Sequence, residues 1–170
     1  MLKSGMNNLW PNPVFLGEID TPLLDKVVQS IFESVDLDAP TGDFQGFDVL
    51  EDGSTELQDF RDEFVFPAFE SYMDSIGYCL NDFEDRRLRS WITGVRNGYM
   101  IPAHNHSGAS FSAVFYLLCE SKKYEGGELV ILDPRVNANR GYKNSFKPLF
   151  ENEVFSPKSG QFIIFPSYLY

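Results

Sequence analysis

A chain of 170 residues with 43% hydrophobic content is long enough to bury one sizeable core, and its 15% aromatic residues, 16 of them Phe, argue against disorder. A formal net charge of −11 without any basic cluster argues against a phosphate-backbone partner, so no nucleic acid is expected. Two cysteines, Cys79 and Cys119, make no disulfide framework and no CxxC, and both read as small buried hydrophobes in a reducing compartment.

The N-terminal stretch MLKSGMNNLWPNPVF lacks the apolar run of a signal peptide. No segment approaches the ~18 apolar residues of a membrane span, which predicts a cytoplasmic protein with no membrane partner. Thr21 followed by Pro22 starts a helix, and Leu23, Leu24, Val27, Val28, Ile31, Phe32 and Val35 repeat at helical spacing. Residues 36–54, rich in Asp, Gly and Pro, read as a loop. Thr55 and Gln58 are spaced as a capping box for a second helix that carries Leu57, Phe60, Phe64, Phe69, Tyr72, Met73, Ile76 and Leu80. Pro67 is expected to kink or split it.

From Arg87 onward the period changes. LRSWITGV, SFSAVFYLL, GELVIL and QFIIFP are short runs rich in β-branched and aromatic residues, separated by Gly, Pro and Asn. Trp91 begins the first as a core anchor, Gly126 and Gly127 make a hairpin turn with Glu128 opening the next strand, and Asp133-Pro134-Arg135 ends it as a solvated turn. Helices followed by strands predict an α+β domain spanning 1–170, with helical support over 1–86 and a β core over 87–170. About five strand candidates fall short of the eight of a jelly roll, so that core reads as incomplete.

Both histidines of the chain, His104 and His106, stand one residue apart in MIPAHNHSGAS. On an extended strand, side chains at i and i+2 point to one side, so the two imidazoles can converge on one point. Imidazole suits Fe, Zn, Cu and Ni, and two histidines with a carboxylate mark the non-haem Fe(II) oxygenases. The H-x-H alone serves a pair of surface or hydrogen-bonded histidines equally well. Ser112 and Tyr116, four apart on the following strand, share a face. The plain reading of Tyr116 is an inward ring whose hydroxyl finds a backbone partner.

Taken together, the H-x-H, the strand with YL, the D-P-R and the F-P-S resemble the 2-oxoglutarate- and Fe(II)-dependent dioxygenase superfamily in its prolyl-hydroxylase-like branch, and within it a small bacterial and phage family of oxygenases. The resemblance covers residues 88–170. It implies a double-stranded β-helix (jelly roll) carrying the N-terminal helices, and oxidative decarboxylation of 2-oxoglutarate to succinate coupled to hydroxylation of an unidentified small-molecule or protein substrate. It further implies that His104 and His106 ligate Fe(II), and that Ser112 and Tyr116 contact the 2-oxoglutarate. His106 stands where most of the superfamily has Asp, which leaves the site one charge more positive and admits either a three-histidine site or a supporting role for His106. The family's distal histidine follows F-P-S, but here Tyr168, Leu169 and Tyr170 end the chain, so a fragment inactive by itself is expected. Two other classes remain open on the residues: a cupin-like protein using another metal, and a noncatalytic β-sandwich that binds a partner.

Overall fold

The structure, a computed structural model, describes residues 11–35, 42–43, 48–84, 86–95, 98–119, 126–135 and 152–170. Helix α1 (Leu23–Ser34) begins where the Thr21-Pro22 pair predicts, with the Leu23 N–H donating to the Thr21 hydroxyl at 3.3 Å. Val27 and Ile31 are its buried residues, and Leu23, Leu24 and Val35 pack beside them. Phe32, on the expected apolar stripe, is exposed. Of the loop predicted over 36–54, residues 36–41 and 44–47 lie outside the described ones. The remainder holds strand β2 (Gly42–Asp43) and a single helical turn, α2 (Val49–Asp52).

Helix α3 (Thr55–Phe60) is capped one residue earlier than the spacing suggests. Ser54 accepts from the Leu57 N–H, and Ser30 of α1 donates to the same hydroxyl at 2.7 Å. Gln58 reaches back to the Gly53 carbonyl, so the expected Thr55 capping box is replaced by a Ser54 cap. Pro67 has no N–H for the α-helical ladder, and the chain answers with a π-helical turn, Arg61–Val65, before α4 (Phe66–Ser75). The Phe66 N–H bonds the Arg61 carbonyl across that wider turn. One inserted residue rotates all that follows by about 100°, which brings Val65 and Ala68 into the core beside Leu57, Phe60, Tyr72 and Met73. Cys79 lies after α4 in a turn capped through Asp82 and is exposed, contrary to the buried position predicted for it.

Strands β1 (Phe15–Glu18), β7 (Gln161–Pro166) and β4 (Phe111–Phe115) form an antiparallel sheet with β7 in the centre. The continuous apolar run of β7 follows from cover on both faces. Phe162 and Ile164 point to the helices; Ile163 and Phe165 point to a second core with Ile131 and Leu169. On the helical side, Phe60 meets Phe115 edge-on at 5.6 Å and Tyr72 meets Phe111 at 5.3 Å. The opposite face is covered by β5 (Leu129–Ile131) paired with β6 (Glu153–Phe155), through Leu129, Ile131 and Phe155. Strand β1 comes from the segment read as helical support, and LRSWITGV contributes only β3 (Thr93–Gly94), paired with β2. The described architecture is therefore mixed α and β, with antiparallel sheets of three, two and two strands.

Candidate functional site

The two histidines lie on the irregular segment leading into β4, where the sequence predicts an extended strand. Their convergence survives the difference, because the chain curls instead of pleating. The His104 Nδ1 sits 2.8 Å from the Pro102 carbonyl. A carbonyl only accepts, so Nδ1 carries the proton in a neutral ring and the Nε2 lone pair is left for an incoming ligand. The His106 ring stands with its centroid 5.0 Å from that of His104 and its plane at 82°. Two imidazoles this close can share one ion at bonds of ~2.0–2.1 Å. Metal-ligating histidines commonly hold their second nitrogen on a carbonyl in this way.

The end of β7 holds this segment. The His106 N–H donates to the Ser167 carbonyl at 3.2 Å, and the Ser167 N–H donates to the Ser110 carbonyl at 3.1 Å. The Ser167 hydroxyl pairs with that of Ser112 at 2.7 Å. Ser167 is 2% exposed, one of two buried polar residues among those described. Sequence reasoning reaches it only as part of the F-P-S motif and assigns it no role. Its importance arises from pairing across 55 residues, which no local pattern reveals. Trp91, predicted to be a core anchor, is instead 41% exposed, with its ring 5.4 Å from that of His106. Its neighbour Ser90 holds it in place by taking the Val49 and Leu50 N–H groups.

Alternation along β4 turns Phe111, Ala113 and Phe115 to the helices, so Ser112 lies on the opposite face with Val114 and Tyr116. Ser112 is at the histidine end, and Tyr116 follows roughly 13 Å of strand later. The Tyr116 main chain exchanges bonds with Gln161 and Gly160. Its side chain packs on the second core of Ile131, Ile163, Phe165 and Leu169 and borders a cavity of about 230 Å³ that also involves Leu16, Val154, Phe155 and Pro157. Burial, with the nearby Cys119 adding to it, pushes the Tyr116 phenol from the usual 10 up to about 12, so it is a neutral donor at physiological pH.

Arg135 donates through its main chain and its guanidinium to Asp133, whose carboxylate is held below its ordinary pKa chiefly by those hydrogen bonds. Arg135 is exposed, the solvated turn charge expected, and its guanidinium is tied to the nearly buried Asp133 side chain. Among the described residues no group of three or more His, Cys, Asp or Glu side chains converges on a point, so the pair offers two donors. No helix among them is long and apolar enough to cross a membrane.

A family model described as "Putative 2OG-Fe(II) oxygenase" matches residues 89–170, just under half of the chain. No curated protein and no solved structure matches. The matched segment contains Trp91, the histidine pair, β4 and Ser167. It supports the 2-oxoglutarate/Fe(II) oxygenase superfamily, an oxidoreductase class whose cofactors are Fe(II) and 2-oxoglutarate.

Proposed function

We propose that this chain is a 2-oxoglutarate-dependent hydroxylase built on a double-stranded β-helix, with His104 and His106 as protein ligands of Fe(II) and Ser112 and Tyr116 as contacts for 2-oxoglutarate. The observation that carries the reading is the His104 side chain: Nδ1 bound to the Pro102 carbonyl, Nε2 left as an acceptor, and a second imidazole at 5.0 Å. Bound Fe(II) and 2-oxoglutarate, with O2 as oxidant, would supply the chemistry for C–H hydroxylation, one oxygen atom going to the substrate and the other into the succinate formed with CO2.

The chain's own groups do the rest. The Pro102 carbonyl fixes the tautomer and orientation of His104. The Ser167 carbonyl anchors the main chain at His106, so both rings approach a ligand from a framed segment. Ser112 and the neutral Tyr116 phenol are hydroxyl donors on one face of β4, of the kind that orients a carboxylate. Ile163 and Phe165, buried on β7, give that face an apolar floor.

The test is Mn(II) affinity of the chain, measured by calorimetry. His104→Ala is expected to weaken Mn(II) binding by more than about 10-fold, since losing even a group that only supports a metal ligand costs about that much. Mn(II) binding equal in wild type and variant removes His104 from the site.

A further inference from the structure

Two serines face each other at 2.7 Å beside the histidine segment, and their burial decides which way the proton points. Two hydroxyls bring two protons, and the bond between them uses one. Ser167 is 2% exposed, whereas Ser112 is only partly buried. Were Ser112 the donor, the Ser167 proton would be buried with no acceptor among the described residues, the costlier of the two arrangements. With Ser167 donating, its proton is satisfied and the Ser112 proton is left on the less buried of the two residues, free to bind a ligand.

We infer that Ser167 is a positioning residue that donates to Ser112 and thereby holds the Ser112 hydroxyl as a donor aimed at an anionic ligand oxygen. Its carbonyl simultaneously fixes the main chain at His106, so one buried serine ties the candidate metal segment to the candidate carboxylate contact. The ligand class is a carboxylate, and its assignment as 2-oxoglutarate rests on the function proposed above; the direction of the serine bond does not.

Two measurements on the full chain separate the claims. Without ligand, Ser112→Ala strands the Ser167 proton, so its Tm falls by roughly 2–4 °C. Ser167→Ala falls less, and adding it to Ser112→Ala regains part of the loss. With Mn(II) bound, 2-oxoglutarate titrated by calorimetry binds roughly 10- to 150-fold more weakly to Ser112→Ala, the worth of a hydrogen bond to a charged oxygen, and more weakly to Ser167→Ala as well. The double variant is no weaker than Ser112→Ala, Ser167→Thr restores binding, and Mn(II) affinity is unchanged throughout. Equal Tm losses with no recovery in the double variant overturn the donor direction. Wild-type 2-oxoglutarate affinity in Ser167→Ala, with weakened binding in Ser112→Ala, overturns the positioning role and leaves the proposed function standing. Absence of 2-oxoglutarate binding in the Mn(II)-loaded wild type, with the Tm pattern as expected, overturns the ligand assignment and the oxygenase reading together, while the serine bond is upheld.

Discussion

Trp91 lies with its ring centroid 5.4 Å from that of His106, the planes tilted at 50°, while 41% of its surface stays open to solvent. An indole so placed reports on whatever the histidines bind. Co(II) titrated into the protein is expected to quench its emission saturably. Trp91→Phe should remove the saturable component, leaving that of Trp10, and His104→Ala should move the midpoint to higher Co(II). A midpoint unmoved in His104→Ala would place the ion elsewhere.

The central strand carries the largest share of apolar burial. Ile164 is fully buried on β7 between β1 and β4, facing the helices. Ile164→Ala is expected to cost about 2–5 kcal/mol in urea unfolding, from lost transfer energy and the cavity left behind. Leu16, paired opposite Ile163 on β1 but 59% exposed, should cost under ~0.5 kcal/mol when changed to Ala. Comparable losses at the two positions would refute this layering.

Gly160 turns the chain into β7 at φ +85°, its N–H on the Tyr116 carbonyl and its carbonyl on the Ile19 N–H. A Cβ there would come 2.5 Å from the Ile19 oxygen. Gly160→Ala therefore combines left-handed strain with a backbone clash, and a loss of at least ~1–3 kcal/mol is expected. Thermal unfolding measures it; an unchanged Tm contradicts the turn.

Tyr116 makes stability depend on alkaline pH. Its phenol titrates near 10 when unfolded and at about 12 in the fold, because burial disfavours the phenolate. The folded chain then keeps a proton that the unfolded chain releases, so this contribution is complete below pH 10 and disappears as pH rises towards 12. Urea midpoints between pH 9 and 12 should fall more steeply for wild type than for Tyr116→Phe. Parallel profiles would mean the ring is solvated.

Local chemistry made part of this protein legible from its residues. The start of α1 needed only Thr21 and Pro22, and the apolar run of β7 announced a strand, since capping and strand propensity act over a few residues, while its cover on both faces came from the tertiary structure. Covalent spacing alone put His104 beside His106, and alternation alone put Ser112 and Tyr116 on one face of β4. The tertiary structure decided the rest. It placed β1 against β7, across most of the chain's length, gave Trp91 to His106 instead of the core, and made Ser167 the anchor of the histidine segment. Each of these depends on backbone groups and surfaces finding partners far away in sequence, and the free energy of such pairing is invisible to any window of neighbouring residues.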